Sequence, residues 1–258
     1  AGRAGVREFL FAKHTNNLEM KQFAALDYQK GGYDTLLLPN ENNLYYRLQN
    51  GFTVTEIQDF AEKSQNITIQ HSDIYYPSVG LFISRDEHLY LAVKAGDNDD
   101  SHNHNDTGSF TIYKDGKPLL IDIGVESYTK KTFSPQRYEI WTMQSDYHNL
   151  PTLNGYMQQN GPEYKATDVK YNFGSDICEI GMELASAYPR ECGISSYKRQ
   201  AALYKGSHIA ITDKYSSEGN SDIILHFMTY EKPDPVTVLD GLSFEIGHLG
   251  TLSLSNGT

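Results

Sequence analysis

From about Ile67 onward, the sequence is a series of short segments in which apolar and polar residues alternate, separated by turn-forming residues. This pattern is typical of β-strands that bury one face. Residues 80–96 predict a hairpin in which Leu89, Leu91 and Val93 share one face. Residues 109–124 predict a second hairpin, with Asp115-Gly116 at its turn. Further strands are predicted at residues 197–204, 207–215, 222–230, 236–239, 242–246 and 251–254.

So many antiparallel strands need a second sheet to cover their apolar faces, so we expect a mainly β fold built as an antiparallel β-sandwich. The residues that precede this β-rich part have a helix-like pattern instead. Apolar residues from Val6 to about Leu38 recur at near-helical spacing, interrupted by the "KGGYD" stretch at residues 30–34. We therefore assign residues 1–68 to a helical or irregular segment and residues 69–258 to the β-sandwich domain.

The composition narrows the class of partner. A formal net charge of −11, with no run of Lys or Arg, argues against nucleic acid. The net negative charge still allows an acidic polysaccharide as a partner, because a cleft can be locally positive. No apolar stretch approaches the roughly 20 residues of a membrane helix, and the N-terminal residues lack the apolar core of a signal peptide. For Cys178 and Cys192, buried free thiols are favoured over a disulfide.

The sequence "SHNHNDTGSF", residues 101–110, concentrates histidines, asparagines and an aspartate just before a predicted strand. If residues 101–105 are extended, His102 and His104 point the same way, because side chains alternate along a strand. A zinc-type ion needs three or four N, O or S ligands, so other segments must contribute. Asp106 in this stretch is either a site residue or the cap of a turn.

Two residues elsewhere complete a ligand set. Asp122 follows the returning strand of the second hairpin and interrupts an apolar run, where a carboxylate needs a partner. His148 lies in a polar, turn-rich loop with no apolar periodicity. We predict that His104, Asp122 and His148 form a His2Asp site for zinc or a similar divalent metal. We assign ordinary surface or hydrogen-bonding roles to His14, His71, His88, His208, His226 and His248.

Residues 101–124, together with "KTFSPQRYEIWTMQSDYHNLPTLNG" at residues 131–155, resemble the C-terminal domain of the heparinase II/III-like polysaccharide lyases. This family includes alginate and oligoalginate lyases. The resemblance is close from Tyr75 to Gly155 and looser along the later strands. It implies a β-sandwich packed against a preceding helical toroid, with the active site between them. Ala1 to Gly5 look like an expression scar or a cut inside a longer protein, and the helical pattern from Val6 to Leu38 looks like at most the final helices of that toroid. Residues 1–68 are therefore expected to be its remnant or a linker.

The resemblance also implies roles for individual residues. His102 matches the catalytic histidine of the family, and His104, Asp122 and His148 match its metal ligands, usually zinc. The implied reaction is β-elimination from a uronic-acid-containing polysaccharide, with the metal fixing loops rather than contacting substrate. Arg137 and Tyr138 are candidate cleft residues for an anionic sugar, although Tyr138 equally suits core packing beside Trp141.

The remaining catalytic residues would come from the toroid, so little activity is expected from this chain alone. Periplasmic or secreted localisation is implied by analogy only. The sequence does not identify which uronate polymer is the substrate. One alternative is a non-catalytic carbohydrate-binding sandwich whose metal is structural. Another is a cupin-type metalloenzyme, which is weaker because Gly108 and Ser109 stand where its glutamate is expected.

Overall fold

A computed structural model of the chain describes residues 5–30, 44–64, 71–238 and 241–255. The chain forms two compact units, residues 1–71 and residues 72–258. The division predicted from the sequence was placed after residue 68.

The first unit contains three described helices: α1 (Val6–His14), α2 (Leu18–Lys30) and α3 (Leu44–Lys63). Their buried residues form a core of their own, in which the rings of Phe9 and Phe60 meet edge to face at 5.4 Å. The sequence pattern predicted helix only as far as about Leu38, so α3 was missed. The predicted break at residues 31–34 lies outside the described residues. Among the described helices, none is both long and apolar enough to span a membrane.

The second unit is built from strands and short 3-10 helices. The strands are β1 (Ile74–Tyr76), β2 (Leu81–Arg85), β3 (Leu89–Lys94), β4 (Asp97–Asn98), β5 (Phe110–Lys114), β6 (Lys117–Leu120), β7 (Pro151–Leu153), β8 (Gly161–Lys165), β9 (Thr167–Phe173), β10 (Ile177–Glu183), β11 (Ile194–Tyr204), β12 (His208–Ser217), β13 (Ile223–Leu225), β14 (Pro233–Val236), β15 (Leu242–Ile246) and β16 (Gly250–Leu254). Four consecutive 3-10 helices lie between β6 and β7, at Lys131–Phe133, Pro135–Glu139, Trp141–Met143 and Ser145–Tyr147.

Two antiparallel sheets dominate this unit. One has the strand order β1-β2-β3-β5-β6 and the other β12-β11-β10-β9. Phe82, Leu91 and Phe110 from the first sheet share one buried cluster with Ile180 and Leu203 from the second. This shared core between two sheets confirms the predicted antiparallel sandwich.

Both predicted hairpins are present. The second turns at Asp115-Gly116, whose φ angles of 50° and 72° are the positive values that a two-residue turn between twisted strands requires. Cys178 and Cys192 are free and buried, as predicted.

Other strand predictions differ in extent. The strand predicted at residues 222–230 is only three residues long, and the one predicted at 236–239 instead ends at Val236. Residues 239–240 lie outside the described chain. The sequence pattern did not predict β9 and β10, which make up half of the second large sheet.

Candidate metal centre and active site

The loop between β4 and β5 carries His102 and His104, and it is a turn rather than a strand. His102 has a left-handed backbone, with a φ of 62°, and no strand is formed from residue 101 to 109. The extended conformation considered for residues 101–105, which would put both histidines on one face, is therefore not adopted. His102 is exposed, whereas His104 is half-buried.

The turn at His102 is closed by a hydrogen bond from the Asn103 N–H to the Asp100 carbonyl oxygen at 3.0 Å, and further hydrogen bonds hold the residues after it. The buried side chain of Asn98 accepts hydrogen bonds from the backbone N–H groups of Asp106 and Thr107, both at 3.2 Å. The backbone N–H of Asn105 donates to the carbonyl oxygen of Met143 at 3.0 Å. The carboxylate of Asp106 accepts from Lys94 Nζ at 2.6 Å, so this aspartate is engaged in an ion pair at the edge of the loop.

His104, Asp122 and His148 come together although they lie in three separate loops. Each offers one ligand atom, and these atoms all lie within 4.8 Å of one another. The rings of His104 and His148 are 5.3 Å apart. Nδ1 of His148 lies 3.3 Å from Oδ2 of Asp122, which follows the end of β6. The set predicted from the sequence therefore exists as a cluster.

The donor chemistry of the cluster fits a divalent metal. His148 is fully buried; its Nδ1 has only the Asp122 carboxylate at 3.3 Å, without hydrogen-bond geometry, and its Nε2 has no partner. Buried polar atoms nearly always have a partner, so an orphaned imidazole points to a ligand that completes the site. Two imidazoles and one carboxylate within this distance suit zinc, which takes three protein ligands and keeps a fourth position open in many sites.

The electrostatics favour the metal-binding forms of His104 and Asp122. Burial lowers the pKa of His104, which favours the neutral imidazole. Burial alone raises the pKa of Asp122, but contact with His148 and a hydrogen bond from the Gly124 N–H outweigh it and lower this pKa to about 2. Neutral histidine and ionised aspartate are the states that coordinate a cation.

His102 stands apart from the three-residue cluster and packs on Tyr128. Its ring is nearly parallel to that of Tyr128, with centroids 5.8 Å apart, and the Tyr128 hydroxyl lies 3.3 Å from Nδ1. Phe133 contacts Tyr128 edge-on at 5.6 Å. An exposed imidazole on a fixed aromatic support can exchange a proton with a bound molecule.

Arg137 and Tyr138 lie in the 3-10 helix Pro135–Glu139 and contact the histidine loop. Arg137 Nε donates to the carbonyl oxygen of Asn103 at 2.9 Å, and Asn103 Nδ2 donates to the Tyr138 hydroxyl at 3.2 Å. Arg137 Nη2 is buried without a hydrogen bond. Both side chains thus hold Asn103, the residue between His102 and His104, and their role in sugar binding stays a prediction.

Residues 68–246 match the family model described as heparinase II/III-like, C-terminal, which covers more than half of the chain. The chain belongs to the heparinase II/III-like family. Its fold is similar to that of a mutant of the heparan sulfate lyase HepC from Pedobacter heparinus, with a TM-score of 0.55 and 14% identity over 90% of this chain and 42% of the lyase.

A second solved structure, a heparinase III gene product, matches this heparinase II/III-like chain with a TM-score of 0.55 and 19% identity over 78% of the chain and 31% of the heparinase. The chain therefore spans less than half of the length of each of these two solved lyases. At these identities the likeness shows the fold. No curated protein sequence matches the chain.

Several residues around the cluster were not predicted from the sequence. Tyr128 and Asn98 give no local signal, since their partners are distant in the sequence. The only clue to Asn149 in the sequence is that it directly follows His148, a predicted ligand. Arg199 occupies an inward position of β11 between Tyr197 and Ala201, and a charge on the apolar face of an alternating strand marks a buried ion pair.

Proposed function

We propose that this chain supplies the β-sandwich part of a polysaccharide lyase that cleaves uronic-acid-containing polysaccharides by β-elimination and leaves an unsaturated uronate end. Family membership supports a polysaccharide lyase with an acidic polysaccharide as substrate. The observation that carries the proposal is the exposed His102, two residues from His104 of the His104, Asp122 and His148 cluster.

The reaction requires three events at the uronate. Its carboxylate must be neutralised so that the C5 proton becomes acidic, a base must remove that proton, and an acid must assist departure of the oxygen at C4. We assign His102 to the proton transfer or to the carboxylate. The Tyr128 hydroxyl lies at Nδ1, so Nε2 is the ring atom available to the sugar.

His104, Asp122 and His148 would hold a zinc or similar divalent ion in a structural role. When bound, the ion would cross-link the loop of His104 to those of Asp122 and His148, and so restrain His102. Arg137 and Tyr138 are assigned to the subsite for the anionic sugar. The position of both side chains against Asn103, between His102 and His104, supports this assignment.

We further propose that a helical toroid domain provides the remaining catalytic groups and that the enzyme acts in the periplasm or outside the cell. The short span of this chain relative to the solved lyases supports the first point. The polymeric substrates of the family support the second, because such chains are met outside the cytoplasm. Little turnover is therefore expected from this chain alone.

The test is binding and product formation by the chain with sulfated and unsulfated uronate oligosaccharides. Calorimetry should show saturable binding that weakens about tenfold in His102→Ala, since a hydrogen bond to a charged group contributes about 1.5–3 kcal/mol. His88→Ala, which changes a histidine at the turn of the first hairpin, is the matched control. The ultraviolet absorbance of unsaturated uronate reports any cleavage.

Two results would count against the proposal. Equal binding by wild type and His102→Ala would favour a carbohydrate-binding sandwich in which the metal is purely structural. Unsaturated product at rates typical of an enzyme, about 1–1000 per second, would refute the claim that the toroid is needed, although it would support the reaction.

A further inference from the structure

Asn149, the residue after His148, uses its entire side-chain amide inside the protein. Its side chain is buried, and Nδ2 donates to the carbonyl oxygens of Phe110 at 2.7 Å and Ile121 at 3.1 Å. Its Oδ1 accepts from the backbone N–H of Met228 at 2.7 Å. One amide therefore joins three segments of the chain, and it does so between His148 and the residue that precedes Asp122.

The backbone of Asn149 is fixed as well. Its N–H donates to Ser109 Oγ at 3.3 Å, and its carbonyl oxygen accepts from Arg199 Nη1 at 2.7 Å. The same Nη1 donates to the carbonyl oxygen of Gly108 at 3.0 Å. Arg199 thereby links the end of the His104 loop to the His148 loop across the sandwich.

Arg199 is itself held by an aspartate. Its Nε and Nη2 donate to the two carboxylate oxygens of Asp213 at 2.8 Å and 2.7 Å, which leaves Nη1 for the two carbonyls. Burial lowers the pKa of Arg199, but Asp213 raises it above its usual range, so the guanidinium is charged. Charged donors form stronger hydrogen bonds than neutral ones.

We propose that Asn149 is a positioning residue for the metal site, and that the pair of Arg199 and Asp213 holds it in place. The inference rests on the metal site of the proposed function. A metal needs its ligand atoms within tenths of an ångström of their ideal places. Asn149 directly follows His148 in the chain, and its side chain binds the carbonyl oxygen of Ile121, which precedes Asp122, so it sets the separation of these two ligands.

The test is zinc affinity, measured on the full chain by competition with a chromophoric chelator, together with the visible spectrum of the cobalt-substituted protein. Loss of a residue that orients a ligand typically costs about tenfold to a hundredfold in metal affinity. Asn149→Ala should show a loss of this size and an altered cobalt spectrum.

Asn154→Ala is the matched control, because this asparagine also bridges two segments with its amide. Its Nδ2 donates to the carbonyl oxygen of Cys192 and its Oδ1 accepts from the Asp222 N–H, both at 2.7 Å. Neither partner adjoins a candidate ligand. We expect Asn154→Ala to lower the thermal midpoint while its zinc affinity and cobalt spectrum stay as in the wild type.

A folded Asn149→Ala with wild-type zinc affinity and spectrum would overturn the inference. If that variant does not fold, Ser109→Ala decides, since it removes only the acceptor of the Asn149 N–H. A severalfold loss of affinity is expected, and an unchanged affinity overturns the proposal. Failure of the wild type itself to bind zinc or cobalt would instead refute the metal site, which separates the two conclusions.

Discussion

Removing His148 should abolish the stabilisation that zinc gives to the fold. This side chain is fully buried, its Nε2 has no hydrogen-bond partner, and its Nδ1 has only the Asp122 carboxylate at 3.3 Å. An unsatisfied buried polar group costs about 1–3 kcal/mol. His148→Ala removes that cost but leaves a cavity, and cavities of this kind are themselves destabilising. Because the two effects oppose each other, the metal-free variant should lie within about 2 kcal/mol of the metal-free wild type.

Added zinc should then make the free energies of unfolding of the wild type and His148→Ala differ. A ligand that binds only the folded state adds about 2.7 kcal/mol at 100 times its Kd and about 4.1 kcal/mol at 1,000 times its Kd. We expect the wild type to gain about 3–4 kcal/mol at such concentrations, and His148→Ala to gain little. Urea denaturation with and without zinc, with free zinc buffered by a chelator, measures all four free energies of unfolding.

A second histidine provides the control for nonspecific effects of zinc. His88 carries an exposed side chain paired with Asp115 at 2.6 Å, and neither residue belongs to the three candidate ligands. His88→Ala should respond to zinc as the wild type does. If zinc stabilises His148→Ala as much as the wild type, or stabilises neither, the reasoning from the orphaned imidazole is refuted.

Three further perturbations test the fold around the site. Arg199→Met leaves the Asp213 carboxylate without its charged partner, although the Tyr197 hydroxyl still donates to it, and should cost about 3–5 kcal/mol in urea denaturation; a loss under about 1 kcal/mol contradicts this. Burial raises the pKa of Asp73, but Lys205 and further hydrogen bonds lower it more, so its net pKa lies below the ordinary value. The contribution of Asp73 to the free energy of unfolding is complete above about pH 4 and is lost as the pH falls further. The stability of Asp73→Asn should therefore fall less steeply with acid than that of the wild type. Gly116→Ala, at a φ of 72°, should cost about 1 kcal/mol in thermal unfolding, and Gly116→Asn should cost less.

Local patterns predicted the parts of the fold that local chemistry decides. The Asp115-Gly116 turn specified the second hairpin, because both of its positions need positive φ angles. That hairpin in turn brings Asp122 back beside the strand that follows the His104 loop. The grouping of His104, Asp122 and His148 therefore follows from the residue pattern and the hairpin together.

Contacts between distant residues explain what the sequence pattern did not predict. The turn at His102 is closed by the Asn103 N–H and the Asp100 carbonyl oxygen, while Asn98 and Met143 hold residues 105–107, and the pattern of residues did not predict these contacts. The strand β9 was missed because most of its residues are polar and exposed, which weakens the alternation. Asn149 had no signal beyond its place next to a ligand, since its partners come from three other segments.

The ion pair in β11 also determines how the second large sheet is aligned. Arg199 lies directly opposite Asp213 on the neighbouring strand and faces inward, while Lys198 and Gln200 face outward. A shift of β11 by one residue would turn Arg199 to solvent and bring one of those polar side chains into the apolar core. The carbonyls of Gly108 and Asn149 would lose their donor in the same step. The ion pair therefore adds to the buried apolar residues of β11 in disfavouring a slip by one residue.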